Sequence, residues 1–308
     1  MNFRSIFLAT VQTIGLYAAG FIIPVLGQAL ALFTPVPVIV AYVRNGRQEG
    51  FAVLCASGII ALILGGWKVS AIFFLSFGLM AVGASEGMRR AMKPERIALL
   101  GGTLPVAVIG TLFCVYFIHI GKNPVAAVET YLQASIADAS RLYTSIGLTD
   151  TAALVTSFSD RFIHYFVRLI PGVAIATSVV QTACCYAVAR ALIRRHQGPV
   201  YDAQPSLALW HAPDVWVWGL IAALALILIP KETLHFTGWN FAIVFAVVYL
   251  TQGIAIVDFY LRKARIRTFI RGLIIAIMLA LPAIVFIIAL GIVDVWADVR
   301  KVRGYRAA

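Results

Sequence analysis

Charged residues are scarce in this chain. Asp, Glu, Lys and Arg make up 12% of its 308 residues, whereas apolar residues make up 61%. Soluble domains average about a quarter charged residues. A soluble protein of this length could not hide so much apolar surface, so the composition excludes a soluble globular fold. It predicts a chain that is surrounded mostly by lipid hydrocarbon.

Histidine and cysteine are rare as well, with five and four residues. The cysteines all lie in apolar stretches, and two of them are sequence neighbours, which is a poor geometry for a disulfide. No spacing matches a zinc site. We therefore expect reduced thiols, no metal and no cofactor. The four cysteines are Cys55, Cys114, Cys184 and Cys185.

Catalytic motifs are absent from the sequence. It contains no phosphate-binding loop, no HExxH, no GxSxG and no pair of carboxylates deep in one apolar run. These absences argue against hydrolysis of a nucleotide, a peptide or an ester by the familiar routes. We expect no catalytic residue and no enzymatic activity.

Long apolar runs are what the sequence has in abundance. Since about 20 apolar residues cross a bilayer as a helix, the runs predict an all-α, polytopic transmembrane helical bundle of eight to nine membrane segments. One segment, near residues 34–43, is short or re-entrant. We interpret residues 1–308 as a single transmembrane domain. The runs cover residues 6–33, 36–43, 51–66, 69–87, 97–120, 162–191, 215–229, 239–260 and 273–293.

The formal net charge of +12 comes from Lys and Arg residues between the apolar runs. This placement is typical of topology determinants, and we do not expect the chain to bind nucleic acid. Most of the basic patches fall on one side when the N-terminus is cytoplasmic. The tail conflicts with this count, which puts Arg300, Lys301, Arg303 and Arg306 outside, so the side of the C-terminus stays open.

Residues 121–160 form the one long polar excursion, which the same count makes extracytoplasmic. Asn123 followed by Pro124 predicts the start of an amphipathic helix, and Gly147 its end. A further helix starts at Thr149 or Asp150 and continues into the next span. The excursion is either a solvated connector or a lid over the bundle.

Ionisable side chains inside a membrane are costly, so each is a functional candidate. Arg168 lies about two turns inside an apolar run, and His164 lies one turn earlier on the same face. Together they could bind an anionic group of a substrate near the outer surface. The alternative is that Arg168 extends to the outer headgroups.

Three aspartates near the ends of apolar runs are candidates for polar contacts. Asp258 has Arg262 as its i,i+4 neighbour, which favours a local ion pair. Asp294 and Asp298 share the same spacing and could share a cation or a proton. With Trp296 beside them, an interfacial anchor is the favoured interpretation.

Small residues recur four apart in the first apolar run, as Gly15 with Ala19 and Gly27 with Ala31. Such spacing lets two helix backbones approach closely. It predicts a packing partner for this run, either inside the chain or on another subunit.

Five strings stand out along the chain: Pro35-Val-Pro37 followed by Arg44 and Gly50, Arg168-Leu-Ile-Pro171, Leu209-Trp-His-Ala-Pro213, Asn240 to Gln252-Gly253, and the stretch from Gly291 to Lys301. Together they resemble the YybS-like family of bacterial membrane proteins, over nearly the whole chain. The first third also resembles MreD and the substrate-binding subunits of energy-coupling-factor vitamin transporters. The transporter resemblance implies a small solute held among the helices, with separate partner subunits.

Our leading hypothesis is a multi-pass protein of the bacterial cytoplasmic membrane that binds a small solute or a lipid. It would work with partner membrane subunits, as the substrate-binding subunit of a transporter does. The alternative is an envelope assembly or scaffold protein that acts through helix–helix contacts.

Overall fold

The computed structural model describes residues 3–197, 207–280 and 283–301. The described residues form helices and contain no strand, which confirms the all-α helical bundle. Short 3₁₀ and π-helical segments occupy Leu207–Leu209 and Phe73–Gly78. The helices are α1 (Phe3–Ile22), α2 (Leu26–Ala31), α3 (Pro35–Asn45), α4 (Arg47–Ile72), α5 (Leu79–Arg89), α6 (Pro94–His119), α7 (Pro124–Ser145), α8 (Thr149–Gln197), α9 (Trp216–Ile227), α10 (Glu232–Lys263), α11 (Thr268–Ala280) and α12 (Ile284–Ala297).

Six helical runs within the described residues are long and apolar enough to cross a membrane. The count is seven if α11 and α12, which meet at 106°, are taken as one broken span. The predicted run at 273–293 therefore divides into two helices. The prediction of eight to nine spans is not confirmed by this count.

The chain divides into two compact units, which are Met1–Ala189 and Arg190–Ala308. The first contains α1 to α7 and most of α8, and the second contains α9 to α12. The interpretation of residues 1–308 as a single transmembrane domain stays a prediction.

The first apolar run is not one span, because the chain reverses at Pro24. Val25 has φ 60° and ψ −65°, and the amide of Leu26 donates to the carbonyl of Pro24 at 2.6 Å, which closes a γ-turn. The side chain of Asn45 donates to Ser5 Oγ at 2.9 Å, so both ends of the hairpin meet. The segment near 34–43 is therefore the second half of a span that begins at Leu26.

Small residues make this hairpin possible. A Cβ atom on Gly27 would overlap the carbonyl oxygen of Ala19, and a Cβ on Gly20 would lie 2.9 Å from that of Ala31. The predicted packing partner for Ala19, Gly27 and Ala31 thus lies inside the chain. Gly15 differs, because a Cβ there would meet nothing within 4 Å.

The span from Leu26 contains a break before Pro35. Because Pro35 has no amide hydrogen and Val36 donates to Phe33, the carbonyl of Leu32 lacks its usual helical partner. Two side chains of α8 fill the gap: Gln181 Nε2 donates to this carbonyl at 2.9 Å, and Cys185 Sγ lies 3.3 Å from it. A break at membrane depth is tolerated because protein groups satisfy the freed carbonyl.

The run Arg47–Arg89 reverses at Gly66. This residue has φ 78° and ψ 179°, a conformation essentially restricted to glycine. Ser70 Oγ donates to the carbonyl of Gly58 at 2.9 Å, a contact that a straight helix with about 1.5 Å rise per residue cannot make. Residues 47–65 and 67–89 are therefore two antiparallel segments, which matches the separate predicted runs at 51–66 and 69–87.

The polar excursion forms a helical hairpin of α7 with the start of α8. Asn123 Oδ1 accepts from the amides of Val125 and Ala126, and Gly147 has φ 83° after α7 ends. The predicted helix start, helix end and restart at Thr149 are confirmed. No residue of α7 is buried.

In the second unit, α10 packs against both α9 and α12. Glycines set the close approach to α12: a Cβ on Gly253 would overlap the carbonyl of Ile287, and a Cβ on Gly291 would overlap that of Tyr249. The two backbones therefore touch, which brings the polar residues of both helices into one place.

Gly27→Ala should weaken the first hairpin, because the added methyl group overlaps the backbone of α1. We expect a loss of about 1–3 kcal/mol in the free energy of unfolding, which is typical of overpacking. Thermal unfolding in mild detergent measures it. Gly15→Ala is the matched control and should be as stable as the natural chain; equal losses in both variants would contradict the hairpin.

Single cysteines in a chain without its natural cysteines should report the reversal at Gly66. Gln48→Cys and Arg90→Cys should react with a membrane-impermeant maleimide from one side, and Lys68→Cys from the other. A continuous rod would instead place positions 48 and 90 on opposite sides.

Candidate functional site

A fully buried ion pair lies at the end of α12. Arg300 Nη2 donates to Asp294 Oδ2 at 2.9 Å, and neither side chain has any exposed surface. Asp298 ends the helix with φ 39°, and the chain then folds back so that the amide of Val299 donates to Asp294 Oδ1 at 2.8 Å. This local reversal puts Arg300 beside the carboxylate that precedes it.

Gln252 of α10 completes what we call the Asp294 network, defined as Gln252, Asp294 and Arg300. Its Nε2 donates to Asp294 Oδ2 at 3.1 Å, and its Oε1 accepts from the amide of Ala212 at 3.1 Å. Arg300 Nη1 in turn donates to the carbonyl of Ala208 at 2.8 Å. The network therefore fastens the segment before α9 to both α10 and the end of the described chain.

Such a network is costly to bury. The effective penalty for moving each ion out of water is several kcal/mol even after relaxation. Asp294 recovers part of it, since its carboxylate accepts from three donors, Gln252, Val299 and Arg300. Three of the roughly four acceptor sites of this carboxylate are thus used inside the protein.

Three buried polar atoms around the network lack a hydrogen-bond partner among the described residues. They are His211 Nε2, Tyr249 Oη and Arg300 Nε. Tyr249 lies one turn before Gln252 and packs against Val295, while His211 adjoins the Ala212 amide that Gln252 binds. Unpaired buried polar atoms are uncommon in native structures, and Thr10, Ser57 and Arg271 carry others among the described residues. The three named here differ in that they lie on or next to the residues of the Asp294 network or on the helix turn before Gln252.

The hydrogen bond of His211 Nδ1 determines whether the other ring nitrogen, Nε2, donates or accepts. Nδ1 lies 2.6 Å from the carbonyl of Ala212, and because a carbonyl only accepts, Nδ1 carries the proton. In the neutral ring Nε2 is then an acceptor. Arg300 Nε is a donor, and the Tyr249 hydroxyl is both. A ligand that satisfied all three would need donors and acceptors.

Asp258 binds two arginines near the C-terminal end of α10. Arg262 Nε donates to Oδ2 at 2.8 Å, which confirms the predicted local pair, and Arg271 Nη1 lies 3.3 Å from Oδ1. Asp258 and Asp294 thus both make ion pairs. Asp294 is buried and pairs with Arg300. The two interpretations of Asp294 with Asp298, a shared cation or proton and an interfacial anchor, stay predictions.

Arg168 is paired with an acid of the polar excursion. Its Nη1 lies 2.5 Å from Glu129 Oε1 on α7 and also donates to the backbone carbonyl of His164 at 2.9 Å. The structure thus brings Arg168 and His164 together through the backbone. Their role as contacts to an anionic substrate stays a prediction.

Sequence reasoning did not identify Arg300, His211 or Tyr249 as neighbours of Asp294. Gln252 offered a signal, since an amide inside an apolar run has to be satisfied there. The string Leu209-Trp-His-Ala-Pro213 carried a second signal in the family resemblance. Among the described residues, no group of three or more His, Cys, Asp or Glu side chains could hold a metal ion.

Comparison with known proteins gives a family but no close relative of known role. The sequence matches the family described as "Predicted membrane protein (DUF2232)" over residues 11–295. No curated protein and no solved structure matches the chain.

Asp294→Ala should be strongly destabilising, because it leaves the Arg300 charge buried without a counter-ion. We expect a loss of about 3–5 kcal/mol in the free energy of unfolding, measured by denaturation in mild detergent. The matched control is Asp138→Ala, which removes an aspartate from an exposed pair with Arg141. It should cost less than about 1 kcal/mol; equal losses would contradict the buried network.

Proposed function

The chain belongs to the DUF2232 family of predicted membrane proteins, and on that premise we propose that it binds a small polar solute at the Asp294 network. The proposal assigns it a binding role in the bacterial cytoplasmic membrane, with its N-terminus in the cytoplasm and with partner membrane subunits. The hairpins of the first unit support this topology, because they put Ser5, Asn45 and the basic residues Arg47 and Arg90 at one end.

The observation that carries the proposal is the group of three unpaired atoms on His211, Tyr249 and Arg300. Each unpaired buried polar atom costs about 1–3 kcal/mol. A solute that bonded to all three would recover that cost on binding. Since His211 Nε2 needs a donor and Arg300 Nε an acceptor, the solute carries groups such as hydroxyls or amides. The internal pairing of Asp294 with Arg300 means that the solute need not carry a compensating charge.

A binding role fits these residues better than a catalytic one. The single carboxylate of the network already accepts three hydrogen bonds, and Arg300 already donates two. General acid–base chemistry needs a group whose proton can move toward the substrate. The network instead resembles a rigid frame around atoms that recognise a ligand.

Tyr249→Phe separates binding from folding, because it removes only a hydroxyl that has no partner. Removal of an unsatisfied buried hydroxyl is nearly neutral or stabilising, so the variant should unfold at or slightly above the natural temperature. We expect it to lose a solute that the natural chain retains. Mass spectrometry of small molecules released from detergent-purified protein measures this retention.

Tyr116→Phe is the matched control, since Tyr116 is exposed on α6. It should retain the solute as the natural chain does. The proposal fails if no small molecule distinguishes the natural chain from Tyr249→Phe. It also fails if Tyr249→Phe unfolds markedly earlier, because the hydroxyl would then have a structural partner.

The surface of α7 favours the second candidate, an envelope assembly protein. No residue of α7 is buried, and its Tyr131 and Leu142 are 72% and 62% exposed. Exposed apolar residues on a helix outside the predicted spans suit a protein partner. Under this role Tyr249→Phe would behave as the natural chain in every assay, so the same experiment distinguishes the two candidates.

A further inference from the structure

A cavity opens at the end of the first hairpin, between the first turns of α1 and the last turn of α3. It is lined by Arg4, Ser5, Leu8, Arg44 and Asn45. The hydrogen bond from Asn45 to Ser5 holds its two walls together. The hairpin therefore creates the cavity, because these residues lie about 40 positions apart in the sequence.

Two arginines in this cavity have no acidic partner among the described residues. The neighbouring Arg47 and Arg90 differ, since both bind Glu86, at 2.5 and 2.9 Å. Arg4 and Arg44 are exposed side chains that face one cavity with their charges uncompensated. Two guanidinium groups in one cleft suit a phosphate, which accepts paired hydrogen bonds from each of them.

An apolar face of α1 continues from the cavity into the predicted membrane interior. At helical spacing, Arg4, Leu8, Val11 and Gly15 share one narrow face. Leu8 and Val11 are 50% and 51% exposed, and the space above Gly15 is open. The charged cleft at the predicted membrane boundary is thus followed by an exposed apolar strip of α1, which we call the groove and which ends at Gly15, a residue without a side chain.

We propose that this cleft and groove form a binding site for one anionic phospholipid of the membrane leaflet on the N-terminal side. Arg4 and Arg44 bind the phosphate, and the Asn45–Ser5 pair lies at the edge of the headgroup. One acyl chain lies along Leu8 and Val11 and passes over Gly15. The site is in the first unit and is independent of the solute proposed for the Asp294 network.

Binding of phosphatidylglycerol to the full chain tests the site. Native mass spectrometry of the chain in mild detergent gives the fraction that carries a lipid at each lipid concentration. We expect tighter binding of phosphatidylglycerol than of phosphatidylcholine. Each of Arg4→Gln and Arg44→Gln should weaken the preference about fivefold, and the double variant more than tenfold, as expected for loss of one and two cationic contacts near anionic lipid.

Arg96→Gln is the matched control. It removes an equal charge from an exposed arginine in another predicted cytoplasmic patch, which does not line the cavity. It should leave the lipid preference unchanged. An equal loss in Arg96→Gln would overturn the proposal, because the preference would then reflect total charge. No loss in the double variant would overturn it as well.

Gly15→Leu tests the acyl-chain groove without changing the charge. Leucine is a better helix former than glycine, so the variant should fold, and its side chain should occupy the groove and weaken phosphatidylglycerol binding. Inorganic phosphate distinguishes the source of the anion. If phosphate alone binds in an Arg4- and Arg44-dependent way and phosphatidylglycerol binds no tighter in the natural chain than in Gly15→Leu, the site is a phosphate site and the lipid proposal is wrong.

Discussion

The backbone of this protein must find its hydrogen-bond partners within the protein, because hydrocarbon offers none, and two departures from helix in the first unit show how it does so. The break before Pro35 leaves the Leu32 carbonyl without a helical donor, and Gln181 reaches it from α8. The γ-turn at Val25 satisfies the carbonyl of Pro24 within the turn itself. A polar side chain in an apolar run, such as Gln181, thus has a structural role, because it donates to a backbone carbonyl that has no helical donor.

The same constraint explains the hydrogen bonds among the buried polar side chains of the second unit. A chain in lipid gains nothing by carrying Asp294, Arg300 and Gln252 into its interior unless they bond to one another, and they do. The atoms that this network leaves unpaired are then the informative ones. A phenylalanine at position 249 would keep the ring and lose only an unpaired hydroxyl. The hydroxyl of Tyr249, together with His211 Nε2 and Arg300 Nε, is therefore the part of this region that internal hydrogen bonding does not explain.

Contacts that follow from helix caps and helical spacing were predictable from the sequence, whereas ion pairs that depend on turns between helices were not. The cap at Asn123, the end of α7 before Gly147 and the Asp258–Arg262 pair each depend on residues within five positions, and each was predicted. The pairs Arg168–Glu129 and Arg300–Asp294 depend on a hairpin and on a left-handed cap, which no spacing rule specifies. The first reversal lies at Pro24, inside the predicted run at 6–33, because a single proline is tolerated within a membrane helix and does not by itself specify a turn. Arg303 and Arg306, on which the side of the C-terminus depends, lie outside the described residues.

The arginines near one end of the first unit show why a topology rule cannot by itself assign a role. Arg4, Arg44, Arg47 and Arg90 all lie there, and the positive-inside rule treats them alike. Glu86 binds only two of them, Arg47 and Arg90, and so turns those charges into a clamp between helices. The other two, Arg4 and Arg44, line a cavity whose described lining residues include no acid. The Glu86 carboxylate thus separates Arg47 and Arg90, which it binds, from Arg4 and Arg44, whose charges it leaves available. This difference cannot be read from the sequence, because it depends on which helices pack against α5.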